Sequence, residues 1–281
     1  MTFERFPGRF TLEGRLRAVT ALRVGAGRAL APVGTDLPVV RDALGAPFIP
    51  GSSLKGPLRA TVERLVRGVR PDRVCNPLDD RERCVSASDM QRLREESQRR
   101  TDAESADAWL TSALLEQTCW VCRLFGSPWL ASAVQVADLP VDRASWFGQF
   151  QVRDGVAIDR DTETVRGGLK YDYEVVPAGT EFLFRLRADT DDPRLLGMLA
   201  LGLRELETER LAVGGGRSRG LGRVELVVER RRLVRRDSDS LLRYLAEPET
   251  AGEAIDEVTV RDWVGAFLAC LRDDAMPVEA V

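Results

Sequence analysis

The run Pro50-Gly-Ser-Ser-Leu-Lys-Gly-Pro57, followed by apolar residues at helical spacing, constrains this chain more than any other feature. Ser52 and Ser53 are preferred N-cap residues, and Leu54, Leu58, Val62, Leu65, Val66 and Val69 recur at three- and four-residue steps. A helix with one buried face is therefore predicted from the serines to about Gly68. Pro57 is expected within its first turn, because deeper in the helix the ring removes a backbone hydrogen bond. Free amides at a helix start favour anions, Lys55 adds a point charge there, and Arg59 follows one turn later. The segment reads as a cradle for a nucleic-acid backbone, with Gly51, Ser52, Ser53, Lys55 and Arg59 as binding residues, although taken alone it is more simply a capped helix after a proline-rich loop. A Walker A loop is excluded: Gly51 and Gly56 have its spacing, but Pro57 stands where that motif requires Lys.

A second run, Gly214-Gly-Gly-Arg-Ser-Arg-Gly-Leu-Gly-Arg-Val224, interleaves glycines with Arg217, Arg219 and Arg223 and leads into the strand-like Val224–Glu229. Glycines let backbone approach phosphates closely and leave amides free to point at oxygens, which nominates Gly215, Gly216, Arg217 and Arg219. The dinucleotide fingerprint does not fit, since Arg219 occupies the place of its third glycine and a strand follows instead of a helix. By itself the run is a weak signal and reads more readily as a flexible surface turn.

Net charge is only −3, so a nucleic-acid binder of this composition must segregate its charges. The clusters Arg217–Arg223 and Arg230–Arg236 are able to do so, although both could equally be a solvated strand face. Arginine is abundant along the whole chain, whereas Lys55 and Lys170 are its lysines, which gives those two more weight. The amino end lacks the apolar core of a signal peptide and no stretch is long enough for a membrane helix, so the expected location is cytoplasmic, with no membrane partner.

In a reducing compartment the five cysteines are not expected to form a disulfide framework. Cys75 and Cys84, with Cys119 and Cys122 in a Cys-x2-Cys pair, supply four thiolates suited to tetrahedral Zn²⁺, although the wide gap between the first two also suits buried or unrelated thiols. Four thiolates leave no open position for water, so such a site is structural and staples an insertion spanning about 71–122 that contains a charged helix. Cys270 reads as a buried residue of an apolar helix.

Strands are expected at Phe10–Val24, Val134–Leu139, Phe150–Ile158, Glu181–Ala188 and Val224–Arg232, with a second long helix opening at Pro193. The βαβ…βαβ order predicts an α+β chain with a ferredoxin-like, RRM-like core at 1–236, interrupted by insertions, and a helical extension at 237–281.

The pairing of the Pro-Gly-Ser-Ser-Leu-Lys-Gly helix start with a late Gly-rich loop resembles the RAMP superfamily of CRISPR-associated proteins. Within it, Gly34-Thr-Asp-Leu-Pro-Val-Val-Arg-Asp42 is similar to the acid loop of the repeating backbone subunit of type III effector complexes. Val156–Thr164 and Tyr173–Phe182 are similar to further segments of that subunit, so the resemblance spans most of residues 10–230. It implies a crRNA-binding subunit that assembles with further copies of itself or paralogous RAMP subunits and with other type III effector subunits. It also implies that residues 153–173, with Lys170 on the RNA, form a thumb-like hairpin that interrupts the guide duplex at regular intervals.

Asp36 matches the acid that cleaves target RNA in that family; Asp42 is a competing candidate that looks structural. With no histidine in the chain, imidazole acid/base catalysis is impossible. The remaining route is attack by a ribose 2′-hydroxyl on its own phosphate, with Mg²⁺ or Mn²⁺ stabilising charge. The bland alternatives are an aspartate that merely caps its loop, in an inactive crRNA-binding scaffold of the same complex.

Overall fold

The computed structural model describes residues 6–28, 34–100 and 102–273. Strand β1 (Arg9–Ala18) sets the layers by its alternation: Phe10, Leu12, Leu16 and Ala18 are buried, whereas Arg9, Thr11, Glu13, Arg15 and Arg17 lie on the opposite, more accessible face. The chain continues through β2 (Phe48–Ile49), α1 (Gly51–Val69), α2 (Ala87–Gln98), α3 (Ala103–Gln117) and α4 (Trp120–Phe125). Then come β3 (Val134–Val136), β4 (Leu139–Pro140), β5 (Gln151–Ile158), β6 (Val165–Val175) and β7 (Glu181–Ala188). It ends with α5 (Pro193–Glu207), β8 (Val224–Val234), α6 (Ser238–Ala246), β9 (Glu253–Ala254) and α7 (Glu257–Asp273).

The main sheet is antiparallel in the order β3-β7-β1-β8-β9. Helix α1 links β1 to β3 and α5 links β7 to β8, which makes β1, α1, β3, β7, α5 and β8 a ferredoxin-like βαββαβ core, as the sequence predicted. Leu54, Leu58, Val62 and Val66 of α1 meet Leu196, Leu199, Leu203 and Leu206 of α5 in one cluster with the apolar side of the sheet. Burying each such side chain contributes at most roughly 1.5–3 kcal/mol. Helix α7 is longer than the small helices expected at the carboxyl end, and it joins this core through Trp263, Phe267, Cys270 and Leu271. It lies close on α5, where a Cβ on Gly197 would stand 2.0 Å from the Trp263 carbonyl oxygen. No described helix is long and apolar enough to cross a membrane.

Several boundaries differ from the sequence reading. Helix α1 begins at Gly51, ahead of both serines, with Pro50 as its cap and no side-chain cap, and Pro57 lies inside it rather than in its first turn. A distant residue explains the shift: the Gly51 amide donates to Asp138 Oδ1 at 2.8 Å, so a carboxylate from the β3–β4 link does the work expected of a serine. Glycine is needed there, since a Cβ on Gly51 would sit 2.1 Å from the Val136 carbonyl oxygen. The first strand stops at Ala18 rather than Val24, beyond which Leu22 and Gly25 make only single bridges to Val176 and Val39. The cysteine segment holds three helices instead of one, because Ser86 and Asp102 each cap a new start, and Cys119 precedes a third.

Candidate functional site

Strands β5 and β6 pair as a two-stranded hairpin that stands apart from the main sheet. The acid loop docks on its base. Leu37 bridges Tyr173 in parallel, and the Glu174 amide donates to the Leu37 carbonyl oxygen at 3.1 Å. The Asp36 amide donates to Asp172 Oδ1 at 2.6 Å, and the Asp172 amide returns a bond to Asp36 Oδ2 at 3.1 Å. Asp36 Oδ1 has no hydrogen-bond partner among the described residues.

Two residues further along β6, the buried Glu174 carboxylate accepts from Thr35 Oγ1 (3.3 Å), the Val39 amide (3.2 Å) and the Arg41 guanidinium (2.6 Å). Arg41 also lies over the Phe150 ring, 4.1 Å from its centroid. Asp42, the competing acid, turns the chain instead: its Oδ1 accepts from the Leu44 and Ala46 amides. Arg41 therefore pairs with Glu174, and Asp42 serves the turn toward Gly45.

The Gly-rich run packs on the segment that follows β1. The Gly215 amide donates to the Arg23 carbonyl oxygen (2.8 Å) and the Gly222 amide to that of Ala21 (2.9 Å), so two of the amides expected to be free are engaged within the chain. Gly214, at φ +81, brings backbone within 2.2 Å of where its Cβ would be, a position open only to glycine. Arg217–Arg219 form one exposed 3₁₀ turn, and the Arg219 guanidinium donates to the Tyr171 hydroxyl of β6 at 2.8 Å. The loop and the hairpin base thus touch directly. Arg23 lies over the Tyr173 ring, 5.6 Å from its centroid. Lys170, on the same strand, is exposed and 3.4 Å from Asp154, a contact of little strength in water.

At the start of α1, Ser52 is exposed and Ser53 and Lys55 are half-buried. Lys55 Nζ donates to Ser132 Oγ at 2.7 Å. Burial, and then repulsion from the neighbouring Arg59, lower its pKa from the ordinary lysine value. Arg59 is pinned by Glu63 (2.8 Å), the Gly126 carbonyl oxygen (2.9 Å) and Cys122 Sγ (3.3 Å), which makes it a bracket between α1 and α4.

The sulfur atoms of Cys75, Cys84, Cys119 and Cys122 lie within 4.8 Å of one another. Cys75 and Cys122 are 3.5 Å apart and Cys75 and Cys119 3.7 Å. Tetrahedral zinc with Zn–S bonds of about 2.3 Å sets sulfurs roughly 3.8 Å apart, so the four ligands fit. Hydrogen bonds from Cys122 and then Cys75 draw the Cys119 thiol down to about 7, and bonds from Cys119 and Cys122 draw Cys84 down to about 7. Cys122, which shares hydrogen bonds with Cys119, Cys75 and Cys84, is pushed up instead. Such a group of thiolates favours a cation.

Beyond the residues nominated from sequence, the site enlists Arg23, Ser132, Asp138, Tyr171, Asp172 and Glu174. The alternation Tyr171-Asp-Tyr-Glu174 was the available signal: period two puts both acids on one strand face, facing the acid loop, and both tyrosines on the other.

Register places the parts at one end of the sheet. Ala18 pairs with Val224 and Arg17 with Glu181, so the end of β1 and the starts of β7 and β8 coincide, and the loops after and before them hold Asp36, the hairpin and the glycines. Helix α1 starts beside β4, which pairs with β2 and lies against the start of β7. This is an insertion-bearing ferredoxin-like α+β protein with its candidate chemistry gathered on crossover loops. The RAMP superfamily profile matches residues 15–225, and the chain belongs to that superfamily.

Its relatives include proteins named CRISPR system Cms endoribonuclease Csm3. That of Methanocaldococcus jannaschii is 28% identical over 233 residues, covering 78% of each chain. That of Enterococcus italicus is 26% identical over 233 residues, covering 81% of this chain and 94% of the relative. A shorter match to the Mycobacterium tuberculosis protein is 46% identical over 55 residues, 19% of this chain and 23% of the relative.

Proposed function

We propose that the chain is a backbone subunit of a type III CRISPR ribonucleoprotein that works in the cytoplasm, binds crRNA and cleaves complementary target RNA at regular intervals. Its partners are the guide, the target, further copies of itself or paralogous RAMP subunits, and other effector subunits. The observation that carries this reading is the pose of Asp36: Oδ2 is tied to the hairpin base while Oδ1 is left for a substrate, at the sheet end shared with the Gly-rich loop. Similarity to proteins named as CRISPR endoribonucleases supports the reaction class.

Guide phosphates dock against Gly51, Ser52, Ser53 and Lys55 and along Gly215, Gly216, Arg217 and Arg219, with Lys170 reaching out on the hairpin. An arriving phosphate relieves the repulsion between Lys55 and Arg59, which favours an anion there. Arg59 acts by holding α1 in place more than by clamping a second oxygen, because its donors are already engaged.

Cleavage proceeds by in-line attack of a ribose 2′-hydroxyl on the adjacent phosphate, leaving a 2′,3′-cyclic phosphate and a 5′-hydroxyl. A lone carboxylate is a weak base at neutral pH, so Asp36 orients the hydroxyl or holds a cation through Oδ1. A bound Mg²⁺ or Mn²⁺ would supply charge stabilisation, and a single carboxylate oxygen suits an ion that retains most of its waters. Zinc on Cys75, Cys84, Cys119 and Cys122 is structural.

Asp36→Ala in complexes carrying guide RNA tests the reading: target cleavage should fall by about 100-fold or more, with guide content unchanged. Undiminished cutting removes Asp36 from the mechanism; a native complex that binds but never cuts is the inactive scaffold.

A further inference from the structure

Asp172 belongs to no motif and lies 136 residues from Asp36 in sequence, yet the two exchange backbone amides and carboxylates across the gap between loop and hairpin. The bond at 2.6 Å is made by an amide to a carboxylate, the stronger class of hydrogen bond. It fixes the main chain of Asp36 itself, whereas Glu174, on the same strand face, fixes its neighbours at Thr35, Val39 and Arg41. The returning bond from the Asp172 amide takes Oδ2 and so selects which oxygen of Asp36 remains available. Nothing else among the described residues hydrogen-bonds the Asp36 amide or carboxylate.

We propose that Asp172 is a positioning residue for Asp36: it holds the acid loop to the hairpin base so that Asp36 Oδ1 faces the strand to be cut, and hairpin and acid move as one body. This rests on the proposed role of Asp36. It adds a consequence: because Tyr171, the preceding residue, meets Arg219 of the Gly-rich loop, the strand that sets the acid also touches the surface assigned to the guide.

The test uses effector complexes assembled with guide RNA and companion subunits, comparing native protein with Asp36→Ala, Asp172→Ala, Asp172→Glu and Asp172→Asn. Alanine removes the acceptor, glutamate keeps the charge but carries the acceptor one methylene outward, and asparagine keeps an oxygen near the place of Oδ1. Single-turnover cleavage should slow about 100-fold for the alanine and glutamate variants, the scale of a misplaced catalytic group, with target affinity within about twofold. Asparagine should restore the rate to within about threefold of native, because one oxygen still accepts the Asp36 amide.

Native rates for both the alanine and glutamate variants, in an assay where Asp36→Ala does not cut, overturn the positioning role and leave the acid assignment standing. Guide or target affinity falling in step with the rate also overturns it, by marking Asp172 as merely structural. If Asp172→Ala fails to assemble, the glutamate and asparagine pair decides alone: equal rates refute the proposal, and a fast asparagine with a slow glutamate supports it. A native rate for Asp36→Ala refutes both the acid and its latch.

Discussion

At the residue scale, the most informative charge is Lys55, half-buried and bonded to Ser132 with Arg59 beside it. Desolvation first, and then Arg59, lower its pKa in the free protein from 10.5. A phosphate seated there adds an attraction that opposes both influences, so the complex holds more protons than the free protein in the interval between the lowered pKa and the higher one in the complex. Linkage then fixes the sign: guide affinity is full below the lowered value and declines as pH rises through it toward 10.5. Lys55→Arg, which does not titrate in this range, should flatten that decline, and affinity measured by filter binding across the alkaline range checks it. An equal pH dependence in both proteins would detach Lys55 from the RNA.

At the element scale, the cysteine site joins the segment after α1 to α4, and Arg59 links it to the helix start through Cys122. Cys119→Ser should remove one bound zinc per chain, read by elemental analysis. It should also destabilise the fold by on the order of 2 kcal/mol or more, lowering Tm by roughly 4–8 °C. Metal content unchanged by the substitution refutes the site. Much of this level was legible in advance. Alternation over Phe10–Ala18, Pro193 as a helix start, and the two cysteine pairs each carry a local signal that tertiary packing had no reason to override. What escaped was set at long range: Asp138 capping α1 from the β3–β4 link, and Asp172 and Glu174 seating a loop more than a hundred residues upstream. Spacing reveals which residues share a strand face, but not which loop will come to rest on it.

At the scale of the whole molecule, the question is where a chain of net charge −3 keeps the surface that meets RNA. The accessible face of the main sheet does not supply it, because its arginines are answered by acids. Arg230 pairs with Glu13, Arg17 with Glu225, Arg235 with Glu253 and Arg236 with Asp191, and Arg15 meets Asp142, Glu181 and Glu229. Within the sequence cluster Arg230–Arg236, Arg230, Arg235 and Arg236 are answered by these acids, Arg232 donates to the Thr250 carbonyl oxygen, and Arg231 turns to the helix side, where it pairs with Glu207 and Glu257. Arg217 and Arg219 differ: they stand exposed at the crossover end of the sheet, with a tyrosine hydroxyl as the partner of Arg219 and no ion pair at either among the described residues. Each cation that neutralises a phosphate of a single strand contributes about −0.7 to the slope of log affinity against log salt. Replacing Lys55, Arg217 and Arg219 together by alanine should therefore make the slope for guide RNA shallower by about 2, whereas Arg230→Ala should leave it unchanged, since its charge is already matched by Glu13. Titration of the intact protein at several salt concentrations separates the two. A slope that responds to Arg230 and ignores the crossover end would move the RNA onto the open face of the sheet, away from Asp36 and the hairpin that holds it.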